Sequence, residues 1–336
     1  MKKQFYLQSL LWLCVLSAIA VVICKPERFN KSENELSVTN WNVQTFFDAN
    51  TDGNEYSDFK KSKEIWNENY YKDRLKRLCQ IIEELDSDVF VMEELENEKV
   101  LYDISNFLSH NSWYSDRHYN YAAFGKEPEN SIGCGVISKI PIEDLKLHSL
   151  DIRTEDGKVP QMRAIMELSL LKNGQKISMF VNHWKSKSGG EQQSEKWRRW
   201  QENVLARECS SVIDVPVFAC GDFNKDIGDF VRDEECNLEF NYIGKDSIHN
   251  IRMFSPWDEN ESADYGSYYF SGKWEKIDHF FCPENGVLKQ FDVFSGSGTV
   301  KNDGTPNRYE LFNHNGYSDH LPITCRIQLK GCQKNS

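Results

Sequence analysis

Asp222 and Asn224 are the two side chains whose type and spacing most directly suggest chemistry. They follow the apolar residues 217–220 and Gly221, which predicts a short buried strand that ends by presenting a carboxylate and an amide. Side chains two residues apart on an extended chain point to the same side. A carboxylate beside an amide suits a hard metal ion and an oriented water or phosphate oxygen, although the same pair also commonly forms a turn.

Five other segments repeat this pattern of an apolar strand followed by polar groups. Taken singly, each polar residue has a structural alternative, as a turn former, a helix-start carboxylate or a hydrogen-bonded core histidine. Together they supply the positive charge, the base and the proton donor that hydrolysis of a phosphodiester anion requires. The segments are residues 38–44 with Asn42, 89–94 with Glu94, 179–187 with His183, 276–281 with Asp278, and 317–322 with Asp319 and His320.

The elements that must position these groups alternate between strands and helices. The Asn173-Gly174 pair is a strong hairpin signal, and hairpins mixed with helices favour mixed or antiparallel sheets over a doubly wound parallel sheet. We predict a polar loop at 48–63 and helices at 70–85, 100–108 and 191–211. The predicted strands are 36–44, 89–92, 134–138, 164–171, 176–182, 217–220, 267–270, 277–282, 290–294 and 323–329.

The overall charge argues against a protein that coats nucleic acid. The 336 residues carry a formal net charge of −12, so a phosphate-bearing substrate must meet a local basic patch or a metal ion. Lys185 and Lys187 directly follow the predicted site histidine and are candidate substrate-binding residues. Lys196, Arg198 and Arg199 open the next predicted helix, where they either hold flanking phosphates or are solvated charges.

The N-terminal residues predict export. Lys2 and Lys3 precede an apolar run from 10 to 24, and polar sequence follows, which is typical of a signal peptide or an N-terminal membrane anchor at 1–24. Residues 18–20 offer a cleavage site of small residues, and bulky Ile23 argues against lipidation of Cys24. We therefore expect a secreted, periplasmic or membrane-anchored protein, with a linker at 25–35, one domain at 36–330 and a tail at 331–336.

The ten cysteines require comment because an exported protein meets an oxidising compartment. The chain has no CxxC pair and no Cys/His spacing that suggests zinc. Cys14 and Cys24 lie in the leader. We expect Cys79, Cys220, Cys282 and Cys325 to be core residues, and Cys134, Cys209, Cys236 and Cys332 to be freer to form disulfides.

The order of these motifs resembles the endonuclease/exonuclease/phosphatase superfamily, which has the deoxyribonuclease-I-like fold. The resemblance covers nearly the whole chain after the leader and is most specific at Gly-Asp-Phe-Asn (221–224) and Ser-Asp-His (318–320). The stretches 94–97 and 183–187 look most like those of secreted bacterial nucleases. The resemblance implies an α/β (α+β) four-layer sandwich, in which two packed mixed or antiparallel β-sheets are flanked by helices.

The resemblance also implies a metal site and a base. Glu94 would be the principal metal carboxylate, assisted by Asn42, and Asp319 would be a second carboxylate on the metal side. Asp222 would orient or deprotonate the attacking water. A hard, oxygen-rich site without cysteine implies Mg²⁺, with Mn²⁺ as a substitute.

The remaining implied roles concern the phosphate. Asn224 would contact the scissile phosphate, and His183 would be a phosphate ligand or general acid. His320 would stabilise the pentacovalent transition state while Asp278 holds it in orientation.

Three positions depart from the family pattern or stay unaligned. Glu93 stands where the family commonly has Gln, and this extra carboxylate would alter metal preference or support the site from behind. His279 stands where an aromatic residue is common and is a third candidate titrating group. Glu129 lies in a region where some family nucleases have a glutamate partner for a histidine, but it cannot be aligned.

The resemblance does not fix the substrate. We expect an exported nuclease of low sequence specificity that cleaves DNA, RNA or both. One alternative is a sphingomyelinase-like or other lipid or small-molecule phosphodiesterase, for which the aromatic stretch 265–274 would be a membrane-docking loop rather than sheet. Another alternative is a non-catalytic surface-binding protein on the same scaffold. No protein partner can be inferred.

Overall fold

Two β-sheets form the centre of the fold. The computed structural model describes residues 34–60, 62–111, 118–150, 162–187, 190–260 and 264–329. The helices are α1 (Ser57–Lys60), α2 (Glu68–Leu85), α3 (Glu98–Asn111) and α4 (Glu191–Ser211), with short 3-10 helices at Ile227–Asp229 and Pro256–Asn260. The strands are β1 (Glu35–Phe46), β2 (Val89–Leu95), β3 (Tyr121–Gly125), β4 (Gly133–Ser138), β5 (Ile142–His148), β6 (Ile165–Lys172), β7 (Gln175–His183), β8 (Val217–Asp222), β9 (Leu238–Ile243), β10 (Ile248–Met253), β11 (Tyr268–Phe270), β12 (Lys273–Glu275), β13 (Asp278–Phe281), β14 (Leu288–Val293) and β15 (Ile323–Gln328).

Each sheet contains a parallel pair flanked by antiparallel strands. The first sheet has the order β14-β15-β1-β2-β4-β3, and β1 is parallel to β2. The second has the order β13-β8-β7-β6-β5, and β7 is parallel to β8. Two hairpins, β9–β10 and β11–β12, form separate two-stranded sheets. Because the strands of a parallel pair end at the same edge, each pair brings two strand ends together.

Alternating side chains of the first sheet face two different cores. In β2, Val89 and Val91 belong to the apolar cluster that also contains residues of the second sheet. Phe90 and Met92 belong to a second cluster with helices α2 and α3. This period-two alternation is what a strand buried on both faces requires.

The helices cover the outer faces of the sheets. In α2, Leu75, Leu78 and Ile82 keep helical spacing and are buried, and Asn67 caps the helix by accepting hydrogen bonds from the backbone N–H groups that follow it. In α4, Leu205 belongs to the cluster that contains the second sheet. These layers confirm the expected sandwich of two mixed sheets flanked by helices.

Some sequence expectations are wrong in detail. The region predicted as a loop, 48–63, contains helix α1, and strands β3, β5, β9, β10 and β12 lie outside the predicted strand ranges. Cys134 and Cys209 are buried free thiols rather than residues available for pairing, while Cys236 is exposed and free. Burial raises the pKa of the Cys134 thiol, which favours an inert, protonated group.

The predicted leader, residues 1–24, lies outside the described residues, as do Cys14, Cys24 and Cys332. Within the part of the chain that the structure describes, no helix has both the length and the apolar character needed to cross a membrane.

Candidate active site

The two parallel strand pairs place four candidate residues at one edge of the sandwich. In the first sheet, β1 and β2 end near Asn42 and Glu94. In the second, His183 of β7 lies in register with Asp222 of β8. The Asn42 amide joins the two sheets, because its Nδ2 donates to Oε1 of Glu94 (3.2 Å) and to Oδ2 of Asp222 (3.0 Å).

Gly221 allows β8 to approach β7 closely before Asp222. It has φ of +145°, and a Cβ at this position would lie 2.0 Å from the carbonyl oxygen of Asn182. The next turn is fixed by Asn224, whose backbone N–H donates to Oδ1 of Asp222 (2.9 Å). The Asn224 amide donates to the carbonyl of Trp184 (3.2 Å), so it lies beside the end of β7.

Glu94 is oriented by an irregular backbone segment at the end of β1. The backbone N–H of Thr45 donates to Oε2 of Glu94 (2.6 Å), and both residues have positive φ, 43° and 67°. The buried guanidinium of Arg74 holds this segment by donating to the carbonyls of Val43 (2.9 Å), Gln44 and Thr45 (3.0 Å). The sequence patterns did not single out Arg74.

His320 is held by Asp278. Its Nδ1 lies 2.8 Å from Oδ2 of Asp278, and its Nε2 points toward Oδ2 of Asp222 at 3.9 Å. Burial alone would lower the pKa of His320, but Asp278 and Asp222 outweigh that effect and raise it well above its ordinary value. The two carboxylates therefore favour the protonated, charged imidazole.

His183 lies on the other side of Asp222. Its Nε2 is 3.6 Å from Oδ2 of Asp222 and 3.8 Å from Oε1 of Glu94, while its buried Nδ1 has no hydrogen-bond partner among the described residues. Burial, together with the nearby charges of Arg163 and His320, lowers the pKa of His183 well below its ordinary value. This imidazole is neutral.

Asp222 is the titrating group between them. Burial raises its pKa to about 7, Asp278 adds to the rise, and His320 opposes it. A carboxylate that accepts a proton near neutral pH suits the role of a base for water.

Glu93 and His279 are buried residues that directly adjoin the site residues Glu94 and Asp278 in strands β2 and β13. Glu93 is fully buried, and burial together with Asp278 and Asp222 raises its pKa well above the ordinary value. The Asn40 amide donates to its Oε2 (3.3 Å). Burial lowers the pKa of His279 to about 4, and its Nε2 bonds the carbonyl of Lys225 (2.8 Å), so it is a neutral structural imidazole.

The side chains present fit a hard divalent cation. Glu94 and Asp319 are half-buried carboxylates that both lie close enough to act on the charge of the buried Arg74 guanidinium. The cluster of Asp222, Asp278 and His320, whose atoms lie within 4.8 Å of one another, is a different group, because Asp278 holds His320 as a charged donor. Asp319 is half-buried and makes no hydrogen bond within the described segments, which leaves its carboxylate available. Carboxylate oxygens dominate this donor set, as Mg²⁺ and related ions require.

Asn42 uses both ends of its amide in the site. Its Oδ1 accepts from the backbone N–H of Gln44 (3.0 Å), and its nitrogen donates to the carboxylates of Glu94 and Asp222. Because an amide oxygen has two lone pairs, one remains for a further partner, and the metal-ligand role of Asn42 stays a prediction.

The predicted basic residues separate into two groups. Lys187 is paired with Glu275 (2.7 Å), Arg198 is buried against Glu195, and the exposed Arg199 pairs with the same Glu195. Lys185 instead lines a cavity of about 220 Å³ with Tyr56 and Arg163, among others. Exposed Lys196 lies over the ring of Trp197.

Arg163 is a site residue that the sequence patterns missed. Its Nη1 donates to the carbonyl of Trp184 (3.0 Å), next to His183. Burial and the charge of Arg163 lower the pKa of Lys185, as expected for two neighbouring cations. The sequence did contain a signal that could have placed Arg163 in the site. Arg163 directly precedes a predicted strand, and that strand was predicted to form a hairpin with the strand that ends near His183.

Comparison with known proteins agrees with this geometry. The model of the endonuclease/exonuclease/phosphatase family matches residues 37–329. No curated protein sequence matches the chain.

Solved structures of similar fold include the following three proteins. D. rerio TDP2 complexed with a single strand DNA product has a TM-score of 0.51 and 15% identity over 87% of this chain and 98% of that chain. The human nocturnin catalytic domain with a bound sulfate anion has a TM-score of 0.53 and 15% identity over 88% and 95%. A beta toxin from Staphylococcus aureus has a TM-score of 0.52 and 16% identity over 86% and 99%.

These identities support the shared fold alone, whereas the family model spans most of the sequence. The chain therefore belongs to the endonuclease/exonuclease/phosphatase family, whose members are hydrolases that act on phosphoester bonds.

Proposed function

We propose that this protein is an exported, Mg²⁺-dependent nuclease of low sequence specificity that cleaves DNA, RNA or both. The observation that carries the nuclease proposal is the cavity beside His183, where Arg163 and Lys185 lie together. A second anion-binding position next to the reacting centre suits a polymer that carries one phosphate per residue. The single strand DNA product bound to D. rerio TDP2 is consistent with this choice.

In the proposed reaction a charged His320 and a neutral His183 have different roles. Asp222, with a pKa of about 7, takes the proton of the attacking water. Charged His320 stabilises the negative charge that builds on the phosphoryl oxygens, and Asp278 keeps it charged and oriented. Asn224 donates the second N–H of its amide, the one not bonded to Trp184, toward the phosphate, and neutral His183 contacts a phosphate oxygen.

The metal ion would be held by Glu94 and Asp319. When bound, Mg²⁺ supplies Lewis-acid polarisation of the phosphate and neutralises part of its charge. Thr45 orients Glu94 for this role through its backbone N–H. Asn42 links Glu94 to Asp222 by donating hydrogen bonds to both, which fixes the two carboxylates relative to each other.

The substrate class can be tested with a panel. Purified protein is incubated with supercoiled plasmid, single-stranded DNA and single-stranded RNA, with sphingomyelin vesicles, and with inositol phosphates. We expect nucleic acid cleavage that stops with EDTA and resumes when Mg²⁺ is restored. Hydrolysis of sphingomyelin or inositol phosphates without nucleic acid cleavage would replace the nuclease proposal with a lipid or small-molecule phosphodiesterase. A non-catalytic binding protein would release no product from any of them.

Arg163 tests whether the cavity holds substrate phosphate. Arg163→Gln should raise KM for an oligonucleotide by about 5- to 20-fold, because a charged hydrogen bond to phosphate contributes about 1–2 kcal/mol. Arg207→Gln is the matched control, since Arg207 is exposed on α4 and pairs with Glu208. An unchanged KM in Arg163→Gln would remove the cavity from the substrate path.

Export rests on the N-terminal segment alone. We propose that residues 1–24 direct the chain out of the cytoplasm, either as a cleaved signal or as a retained membrane anchor. Cell fractionation with N-terminal sequencing of the mature chain distinguishes these outcomes. Recovery of the full-length chain from the cytoplasm would contradict the proposal.

A further inference from the structure

The rings of His320, Tyr268 and Phe270 form a series, here called the aromatic ladder, that runs from the candidate site to solvent. The hairpin β11–β12 places Tyr268 and Phe270 on the same face, because they are two residues apart in a strand. The Tyr268 ring centroid lies 4.6 Å from that of His320, with an interplanar angle of 36°. The Phe270 ring lies 6.2 Å from Tyr268 and is nearly parallel to it, at 13°.

The hairpin is fixed to the loop that carries His320. Tyr268 and His320 form an antiparallel backbone bridge, and the backbone N–H of Leu321 donates to the carbonyl of Ser267 (2.7 Å). The position of the ladder is therefore set relative to the reacting centre. On the other face of the hairpin, Tyr269 packs against Trp274 at 5.2 Å.

Phe270 ends the ladder with an open face. It is 58% exposed and belongs to none of the apolar clusters of the described residues. A single exposed Phe is common on protein surfaces and means little by itself. Here the ring is nearly parallel to that of Tyr268, which packs at a tilt against the site histidine, so a flat group bound on the open face of Phe270 would extend the series.

The ladder has carboxylates near its inner ring, since Asp319, Asp222 and Glu275 act on Tyr268, and two exposed cations also lie beside it. Lys273 is exposed and pairs across the hairpin with Phe270. Arg308 is exposed and close enough to act on the Tyr268 hydroxyl, opposing the burial that raises the pKa of Tyr268 to about 12. Cations beside an open aromatic face suit a base attached to a phosphate.

The same features do not suit a membrane wedge. The hairpin tip is Ser271 and Gly272, which carry no apolar side chain, and Lys273 follows immediately. Insertion into a bilayer favours several apolar side chains that project together, without a cation among them. Stacking on one ring needs only the exposed face of Phe270.

We infer that Tyr268 and Phe270 form a stacking subsite for the nucleobase next to the scissile phosphodiester. The inference rests on the proposed nuclease function. It places a base on the His320 side of Asp222 and a phosphate on the His183 side. Stacking on an aromatic face accepts every base, which agrees with low sequence specificity.

The test compares two substrates and three variants of the full chain. The substrates are single-stranded oligonucleotides with one cleavable phosphodiester, flanked by either a natural base or a tetrahydrofuran abasic residue. Phe270→Ala should raise KM for the natural substrate by about 5- to 30-fold, equivalent to about 1–2 kcal/mol, with kcat unchanged. Phe270→Trp should keep or lower KM. Phe312→Ala is the matched control, because Phe312 is 67% exposed and belongs to no aromatic pair with the ladder.

The abasic substrate distinguishes the loss of base stacking from other causes of a raised KM. Removal of the flanking base should raise the KM of the wild type by about the same factor. It should not raise the KM of Phe270→Ala any further. An unchanged KM in Phe270→Ala, or an equal loss on both substrates, overturns the subsite while leaving nuclease activity intact. A loss confined to sphingomyelin vesicles identifies a membrane-docking surface instead. If the wild type cleaves neither oligonucleotide, the proposed function and the subsite both fail.

Discussion

His183 and His320 flank the same carboxylate, yet their pKa values move in opposite directions. Each Nε2 lies within 4 Å of Oδ2 of Asp222, at 3.6 Å and 3.9 Å. The difference arises at the other ring nitrogen. Nδ1 of His320 bonds Asp278, whereas Nδ1 of His183 has no partner among the described residues and Arg163 lies nearby. Burial disfavours the charged form of both imidazoles, and the carboxylate of Asp278 at His320, compared with the cation of Arg163 near His183, accounts for the opposite directions.

This contrast divides the candidate site into two sides. On the His320 side, Asp278 adds negative charge, and a cationic imidazole balances it. On the His183 side, Arg163 and Lys185 supply the positive charge, so a protonated histidine would be unfavourable there. The His320 side is suited to stabilising the charge that develops in the transition state. The His183 side is suited to holding a phosphate that is already charged in the ground state.

Asp222→Asn removes the group that both sides share and should have the largest effect. Without a base for the attacking water, we expect kcat for oligonucleotide cleavage to fall by about 10⁴-fold. The amide has the shape of the carboxylate, so the thermal unfolding midpoint should not fall, which controls for misfolding. A loss smaller than tenfold would remove Asp222 from the reaction.

Replacing each histidine by glutamine tests the contrast itself. His320→Gln should lower kcat by about 10³-fold because a charged donor to the transition state is lost. His183→Gln should lower it by only about 10- to 100-fold because a neutral donor is lost. Steady-state kinetics at pH 7.5 measure both, and equal losses would contradict the assignment of charge to one histidine.

Asp278→Asn should shift the pH profile of the His320 side. Asp278 raises the pKa of His320, so the imidazole of the variant loses its proton at a lower pH. The alkaline limb of kcat against pH should move to lower pH, with a loss of about 10- to 100-fold at pH 8 and a smaller loss at pH 6. The same factor at both pH values would indicate an orienting role without control of charge.

Glu93→Gln should give the smallest effect and should act on stability. The folded state raises the pKa of Glu93, so it binds the proton more tightly than the unfolded chain does. The free energy of unfolding therefore falls as pH rises through the interval between the two values. We expect Glu93→Gln to raise Tm by about 3–6 °C at pH 8, equivalent to about 1–2 kcal/mol, and by less at pH 4.5.

Exposed Glu98 provides the control for this variant, since Glu98→Gln should leave Tm unchanged at both pH values. A Tm for Glu93→Gln that falls at pH 8 would mean that Glu93 is charged and compensated in the folded protein.

The sequence predicted the order of the site segments because the strand ends carry a local signal, whereas the four-layer sandwich was implied by the family resemblance. Residues 217–224 read as a strand, a glycine and two polar groups, and the structure follows that order through β8. The convergence of Asn42, Glu94 and His183 then follows from parallel pairing of neighbouring strands.

Other features depend on tertiary contacts that no local pattern records. The pairing of Lys187 with Glu275 joins residues 88 positions apart, and Arg74 reaches the end of β1 from helix α2. Cys209 was predicted to be freer to form a disulfide, although it lies four residues after buried Leu205 on α4 and so shares its buried face. Strand β5 was missed because four of its seven residues are exposed, which leaves little apolar pattern to read.

The charge states of the two histidines can be measured directly. Protein labelled with ¹⁵N-histidine is titrated by NMR with and without Mg²⁺, and the His183→Gln and His320→Gln variants assign the two signals. At pH 7.5 we predict that both ring nitrogens of His320 carry protons while His183 is a neutral tautomer. A charged His183, or a neutral His320 at that pH, would contradict the division of the site into a cationic and a neutral histidine.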